Sequence, residues 1–381
     1  MRVYFDNAAT TPLDPEAINA MTDCMKHHFG NPSSIHSEGR KARAIIEEAR
    51  KTVAKSLNAS IGEIFFTSGG TESNNMGLKC AVRDLGVQRI ISSPIEHHCV
   101  LHTLEALHKF QNVQIDFLNV DQKGRIDLNQ LESFLTDNTK KTLVSLMHAN
   151  NEIGTMINLE KVAFICQKHG AFFHSDTVQT IGHFPIDVSK LKINFLSGAA
   201  HKFHGPKGVG FIYINNCETV HPFIDGGSQE RNMRGGTENV YGIVGLAKAL
   251  ELANARLEER KSQILSVKDH LKQRLSEAFD GVEFNGDEDH SLYTVLSVSF
   301  PPSPKADLLL FSLDINGVSA SGGSACSSGA DEGSHVLTAL ENDPERKTIR
   351  FSFSHLNTIE EADFVIDKLK SILPAKQLVT H

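Results

Sequence analysis

The sequence FLSGAAHKFHGPKGVG, residues 195–210, places a lysine at the end of a buried strand. Residues 193–196 belong to an apolar run typical of such a strand, and a second apolar run covers residues 209–214. Lys202 lies between the two runs, in a corner of small residues, glycine and proline. A lysine in such a corner can lose its solvation, which lowers the pKa of the amine and makes it a nucleophile toward carbonyl carbon. A solvated lysine in an ordinary turn is the alternative.

Strands and helices alternate on both sides of this corner. Between residues 64 and 214, short apolar runs are followed by amphipathic stretches of helical period. This alternation predicts an α/β fold with a largely parallel sheet covered by helices on both faces. A helical stretch over residues 237–279 leads to a second part that mixes strands with helices. We expect its strands at residues 294–300 and 348–353, and its helices at residues 306–313 and 359–373.

Size and composition exclude several classes of protein. At 381 residues the chain exceeds one ordinary core, so we expect two domains. The net charge of -8 argues against nucleic-acid binding as the main role. The N-terminus has no signal-peptide pattern and no apolar run approaches the ~18 residues of a membrane span, so we expect a cytoplasmic protein without membrane contact. The six cysteines form no C-x-x-C pair, which leaves a zinc site and a disulfide framework unsupported.

Two further motifs suit a cofactor that binds Lys202. Residues 67–74, TSGGTESN, follow a strand and open a helix, so Gly70 and Thr71 could hold a phosphate at the helix N-terminus, although a plain cap is the alternative. Asp176 ends another strand, where parallel sheets bind ligands. Pyridoxal phosphate requires a lysine for its aldehyde, a carboxylate for its pyridine nitrogen and a phosphate site. The three features together therefore favour this cofactor.

Other motifs are compatible with the same chemistry. His97 follows a strand and could stack on a cofactor ring, although the spacing alone favours a histidine at a helix start. Asn150 and Asn151 could bind a cofactor oxygen or a carboxylate, or serve a turn. Arg350 lies within a strand, where a substrate carboxylate or an internal acid could pair with it. Cys326 lies in the small-residue run SGGSACSSG, which is typical of a mobile loop with a reactive thiol, although an incidental thiol is the alternative.

These motifs together resemble the NifS/IscS-like cysteine desulfurases, which belong to the class-V aminotransferase group. The matching motifs follow the family's order over nearly the whole chain. They are residues 4–12, 30–34, 67–74, 96–97, 150–154, 176, 179, 201–202, 205–208, 234–237, 322–327 and 349–352.

The resemblance implies the fold, the cofactor and the residues that bind it. We expect a homodimer of the pyridoxal-phosphate transferase fold type I, with a mainly parallel seven-stranded sheet, a large domain over residues 15–255 and a smaller α+β domain formed by residues 1–14 and 256–381. Lys202 would bind the cofactor aldehyde, and His97 would stack on the ring. Asp176 would contact the pyridine nitrogen and Gln179 the phenol oxygen, and Asn151 is a further expected cofactor contact. The residues expected around the phosphate are Gly70, Thr71, His201 and the second subunit's Thr237.

The resemblance also implies the reaction. Asn151 and Arg350 would bind the carboxylate of L-cysteine, Lys202 would move the α-proton, and Cys326 would take the sulfur as a persulfide while L-alanine leaves. Expected acceptors are an iron–sulfur scaffold protein or the machinery of tRNA or cofactor thiolation. The alternatives are a selenocysteine lyase or another class-V lyase or aminotransferase, and a non-catalytic binding protein with the same fold.

Two positions depart from the family pattern. Many relatives carry a hydroxyl residue three positions before the lysine, where this chain has Ala199, so the phosphate would lose one donor worth about 0.5–1.5 kcal/mol. The loop has Gly323 where a second serine is commoner, for which we expect little effect beyond flexibility.

Overall fold

The structure is a computed structural model that describes residues 1–137, 139–216, 218–303, 305–306, 308–322 and 333–374. Its strands are β1 (Val3–Tyr4), β2 (Ile64–Thr67), β3 (Arg89–Ser92), β4 (Gln114–Phe117), β5 (Thr142–Ser145), β6 (Phe172–Asp176), β7 (Phe195–Ala199), β8 (Gly210–Ile214), β9 (Glu283–Asn285), β10 (Val295–Phe300), β11 (Val318–Ser319) and β12 (Lys347–Ser352). Its helices are α1 (Pro15–His27), α2 (Ser37–Leu57), α3 (Gly70–Leu85), α4 (His98–Gln111), α5 (Leu128–Thr136), α6 (Leu159–His169), α7 (Gln229–Asn232), α8 (Val240–Ala255), α9 (Leu257–Ala278), α10 (Leu309–Ile315), α11 (His335–Ala339) and α12 (Ile359–Ile372).

The predicted α/β sheet is confirmed. It has seven strands in the order β2-β8-β7-β6-β5-β3-β4. Strands β4, β3, β5, β6 and β7 pair in parallel, whereas β8 runs antiparallel to both β7 and β2. The carboxyl ends of β6 and β7 therefore lie side by side at one edge of the sheet, which brings the two segments that carry Asp176 and Lys202 together.

Strand β7 is longer than the sequence pattern indicates. We expected it to end at residue 196, but it continues to Ala199, because the antiparallel ladder with β8 pairs Ala199 with Gly210. Ser197, Gly198 and Ala199 therefore belong to the sheet. Their small size leaves room for the ring of Phe211, because a side chain at Gly198 would collide with it. The lysine then follows in a single 3-10 turn, Ala200–Lys202.

A second apolar cluster lies apart from the large sheet. It joins Val3 and Phe5 to residues of α9, β10, α10, β12 and α12. Strand β1 pairs in parallel with β11, and β9, β10 and β12 form an antiparallel sheet. The N-terminal residues thus pack with the C-terminal part of the chain. The domain boundary near residue 255 stays a prediction.

Among the helices of the described residues, none is both long and apolar enough to span a membrane.

Candidate active site

A cavity of about 330 Å³ opens at the carboxyl edge of the large sheet. Most of the side chains that the sequence pattern singles out line it together. They are Gly70, Thr71, His97, Asn151, Asp176, Gln179, His201, Lys202 and Arg350. Residues separated by up to 280 positions in the chain therefore share one site.

Lys202 is held in the cavity by the N-terminal loop. Its Nζ donates hydrogen bonds to the carbonyl oxygens of Ala8 at 2.6 Å and Ala9 at 2.9 Å. The Nε2 atom of His183 lies 3.2 Å from the carbonyl oxygen of Lys202 on the other side of the turn. These contacts fix both the backbone and the amine of the lysine, so the amine is directed into the site before a ligand arrives.

Asp176 is the last residue of β6, and its carboxylate is buried and well supplied with donors. Oδ2 accepts a hydrogen bond from Asn74 Nδ2 at 2.6 Å, and Oδ1 accepts one from the Val178 N–H at 2.9 Å. The hydroxyl of Ser197, on β7, lies 3.4 Å from Oδ1. These bonds fix the orientation of the carboxylate at the end of β6.

The N-terminus of α3 forms one wall of the site. Gly69, with φ at 152°, turns the chain from β2 into the helix. A Cβ atom at Gly70 would lie 2.6 Å from the Cγ2 atom of Val178, so only glycine lets the helix start this close to the segment after Asp176. Free N–H groups at a helix start, with the Thr71 hydroxyl beside them, suit a phosphate.

His97 caps a helix and also lines the cavity. It is the N-cap of α4, where its Nδ1 accepts a hydrogen bond from the Cys99 N–H at 3.1 Å. Burial lowers the pKa of this imidazole, partly offset by the nearby carboxylate of Asp176. A neutral ring with a fixed plane is suited to stacking on an aromatic ligand.

Gln179 and His201 complete the expected cofactor contacts. The Gln179 Nε2 donates to the carbonyl oxygen of Ala8 at 3.0 Å, and the His201 Nδ1 lies 3.2 Å from the hydroxyl of Thr10. Burial, with the positive charge of Lys202 nearby, lowers the pKa of His201 to about 4. His201 is therefore neutral at physiological pH and can donate one hydrogen bond to a phosphate without carrying charge.

Arg350 lies in the cavity wall with an internal acid beside it. Its Nη2 donates to Asp6 Oδ1 at 2.9 Å and to the Ser321 hydroxyl at 3.1 Å, and its Nη1 donates to the carbonyl oxygen of Asn151 at 2.9 Å. Its Nε is buried without a partner among the described residues. The internal pairing that the sequence left open is therefore present, and the same arginine also lines the cavity.

Asn150 and Asn151, which the sequence could not distinguish, have separate positions. The side chain of Asn150 is buried and binds the backbone of Ile95, Glu152 and Ile153, which is turn chemistry. Asn151 lines the cavity.

One expected site residue that the structure describes, Thr237, does not line this cavity. Thr237 lines a smaller cavity of about 80 Å³ together with Ser68 and Arg234. Cys326 lies outside the described residues, so its assignment as the nucleophile stays a prediction.

The residues present fit pyridoxal phosphate. The cavity has the volume of a small-molecule site, and a lysine amine and a buried carboxylate lie in its wall. The start of α3 at Gly70, where a Cβ atom would lie 2.6 Å from Val178 Cγ2, offers the N–H groups that suit a phosphate.

Sequence patterns missed several residues of the site. Asn74 holds Asp176, Ser334 donates to Glu152 Oε2 at 2.5 Å, and His335 lines the cavity. Asn74 belongs to the motif of residues 67–74, but the sequence assigned no role to it. His335 follows the segment that contains Cys326 and belongs to no recognised motif. A carboxamide one helical turn after a phosphate-binding start was the one signal that could have indicated Asn74.

Comparisons with known proteins show the family to which this chain is similar. The model of the family described as Aminotransferase class-V matches residues 3–365. The cysteine desulfurase IscS of Dictyoglomus turgidum is 42% identical and aligns over 98% of this chain and 97% of its own length. The putative cysteine desulfurase IscS 1 of Bacillus subtilis is 43% identical over 97% and 99% of the two chains.

Several solved structures also superpose on this chain. A NifS-like protein superposes with a TM-score of 0.90 at 38% identity, covering 98% of this chain and 99% of that chain. SspA in complex with cysteine gives a TM-score of 0.81 at 31% identity, covering 94% of this chain and 100% of that chain.

Proposed function

The chain belongs to the aminotransferase class-V family, among the relatives of the cysteine desulfurases, and we propose that it removes sulfur from L-cysteine and leaves L-alanine, with pyridoxal phosphate as its cofactor. The observation that carries this proposal is the shared cavity of Lys202, Asp176 and the glycine start of α3. When bound there, pyridoxal phosphate supplies an electron sink for the substrate carbon next to the amino group.

Each residue of the cavity has a part in holding this group. Lys202 would hold the aldehyde carbon, Asp176 would keep the pyridine nitrogen protonated, and His97 would cover the ring. Gln179 would donate to the phenol oxygen, with Asn151 nearby. Gly70, Thr71 and His201 would bind the phosphate, joined by Thr237 of the partner subunit.

The substrate would be oriented by its carboxylate. Arg350 already directs a guanidinium into the cavity, with Asn151 beside it. Once its amine is released, Lys202 can take the α-proton of L-cysteine at Nζ and return it, because the turn at Ala200–Lys202 keeps that atom in the cavity.

We assign sulfur transfer to Cys326. The chain on each side of its segment is tied to the cavity: Ser321 bonds Asp6 at 2.6 Å and Arg350, and Ser334 bonds Glu152 at 2.5 Å. Cys326 is five residues from Ser321, and an extended chain spans at most ~3.3–3.6 Å per residue, so the thiol can reach the site from that anchor.

In the proposed transfer, one bond to the substrate sulfur forms and one breaks. The Cys326 thiolate attacks the substrate sulfur, the new S–S bond forms, and the C–S bond breaks. The electron pair of the broken bond stays with the substrate carbon, which takes a proton and leaves as L-alanine. The sulfur remains on Cys326 as a persulfide, which reductant or an acceptor protein removes.

Mass spectrometry of the protein after one turnover tests this assignment. We expect an alkylated persulfide on the peptide that contains Cys326, and none on the peptides of the other cysteines. Lys202→Ala should give no persulfide, since it lacks the amine that the reaction needs. A persulfide on another cysteine, or one formed by Lys202→Ala, would refute the corresponding role.

The same proposal includes the assembly and the destination of the sulfur. Apolar side chains of the α1 and α2 region are exposed, Phe29 at 78% and Ile35 at 91%, as expected for a face that a second copy covers. We propose a homodimer in the cytoplasm that serves an iron–sulfur scaffold protein or thiolation of tRNA or a cofactor.

Cofactor titration of Thr237→Ala tests the dimer and the shared site at once. Because Thr237 lies outside the cavity of its own chain, a weaker affinity for pyridoxal phosphate is expected only if a second copy supplies it. A monomer by sedimentation, or an unchanged affinity, would contradict the shared site.

A further inference from the structure

His335 lies in the wall of the active-site cavity without a part in the scheme above. It is the first residue of α11 and follows the N-cap Ser334. Its ring packs on His98 with centroids 4.4 Å apart. Its Nε2 lies 2.9 Å from the backbone carbonyl oxygen of Glu96, the residue before His97.

This contact determines where the protons of the ring are. A carbonyl oxygen only accepts, so Nε2 of His335 carries the hydrogen. In the neutral ring, Nδ1 then presents a bare lone pair. That nitrogen is buried and has no hydrogen-bond partner among the described residues. A buried acceptor without a partner is uncommon and indicates a group that arrives later.

Two other imidazoles that line the cavity, those of His97 and His201, differ from His335 in this respect. The Nδ1 lone pair of His97 accepts the N–H of Cys99 at 3.1 Å, and opening that bond would remove the cap of α4. The Nδ1 of His201 lies 3.2 Å from the hydroxyl of Thr10. In His335 the nitrogen that can accept is buried and has no hydrogen-bond partner among the described residues.

L-Cysteine brings one donor that the residues already assigned do not use. Its carboxylate is matched by Arg350 and its amino group lies on the side of Lys202, whereas its thiol is a weak S–H donor. We propose that Nδ1 of His335 accepts the hydrogen bond of this thiol and thereby orients the sulfur in the cavity. His335 is then a residue that selects a thiol substrate, an inference that rests on the proposed function.

The test compares two ligands that differ by the thiol, L-cysteine and L-alanine, on the holoenzyme with Cys326→Ser, which retains the sulfur on the substrate. The dissociation constants are measured by calorimetry for this background and for His335→Gln within it. Glutamine can still donate to the Glu96 carbonyl but lacks the ring nitrogen. Such a double-mutant cycle isolates the pair of His335 and the thiol from general damage.

We expect His335→Gln to weaken L-cysteine about two- to tenfold, as for one neutral hydrogen bond, and to leave L-alanine unchanged. His335→Phe, which keeps the ring packing on His98, should give the same selective loss. His102→Gln is the matched control, since His102 is exposed and does not line the cavity, and it should change neither constant.

An equal loss for both ligands, or no loss for L-cysteine, would overturn the proposal and would mean that Nδ1 serves the chain itself. Release of L-alanine from L-cysteine by the wild-type enzyme, measured first, keeps the two claims apart. If the wild type forms no L-alanine, the proposed function fails. If it does and the two ligands respond alike, only the role of His335 fails.

Discussion

Asp176 depends on side chains that are distant in sequence. Its closest donor, Asn74, is 102 positions away, and Ser197 is 21 positions away on the next strand. Sequence analysis predicted the carboxylate from its place at a strand end. It could not predict the donors, because a hydrogen bond between α3 and β6 leaves no local pattern.

Asn74→Ala tests this support. It removes a bond of 2.6 Å to the carboxylate of Asp176, and hydrogen bonds to charged groups contribute about 1.5–3 kcal/mol. We expect the affinity for pyridoxal phosphate to fall about ten- to hundredfold, measured by titration of the apoenzyme. Asn75→Ala is the control, because the half-buried Asn75 donates to the backbone carbonyl oxygen of Thr71 in its own helix rather than to Asp176. An unchanged affinity in Asn74→Ala would contradict the role of Asp176.

Arg350 has an internal acid beside it and also lines the cavity, so its role in substrate binding has to be separated from its internal pairing. Arg350→Lys keeps the charge but loses the planar pair of donors that matches a carboxylate. We expect KM for L-cysteine to rise about tenfold or more, with a smaller change in kcat.

Asp6→Asn separates the two functions of Arg350. If Arg350 binds substrate, removing its internal partner should leave KM unchanged or lower. If the two variants raise KM equally, the arginine acts only through the pair with Asp6.

At the level of elements, local patterns predicted most of the fold. Strands β2 and β3 fall within the predicted alternating region of residues 64–214, since each centres on adjacent apolar residues, Phe65 and Phe66 in β2 and Ile90 and Ile91 in β3. The end of β7 was missed, because Ser197, Gly198 and Ala199 resemble a turn until their pairing with β8 is known. The anchors Ser321 and Ser334 were missed for the same reason, since their partners are far away in sequence.

The start of α3 gives a prediction at this scale. In Gly70→Ala the new methyl group would lie 2.6 Å from Val178 Cγ2, so the helix start has to shift away from the site. We expect weaker binding of pyridoxal phosphate, measured by titration, with little loss of overall stability.

A second substitution provides the control. Val178→Ala removes the obstructing methyl group, so Gly70→Ala with Val178→Ala should recover most of the affinity. Gly62→Ala, where only the end of the Arg231 side chain lies within 4 Å, should have no effect. If the double variant stays as weak as Gly70→Ala, the collision does not explain the glycine.

For the whole molecule, buried histidines couple stability to pH. Burial, with the charge of Arg260 nearby, lowers the pKa of His183 and His355 to about 4 and that of His204 to about 3. In the unfolded chain each has a pKa near ~6.5. Below that pH the unfolded state binds more protons, so the stability present above about pH 6.5 is lost progressively toward about pH 4.

We therefore expect Tm to fall between pH 7 and pH 5, measured by scanning calorimetry. His355→Gln should reduce the slope, since one of the depressed groups is removed. His27→Gln, at an exposed position, should leave the slope as it is. A Tm that is flat over this range would contradict the burial of these rings.

In the whole enzyme, we propose that Lys202 and its cofactor release the sulfur of L-cysteine and that Cys326 receives it. The most direct measurement is the release of L-alanine and sulfide from L-cysteine, with reductant present, by the wild type and by Cys326→Ser. We expect the wild type to release equal amounts of L-alanine and sulfide, and Cys326→Ser to release neither product. Sulfide and L-alanine from Cys326→Ser at the wild-type rate, or no L-alanine from the wild type, would contradict this proposal.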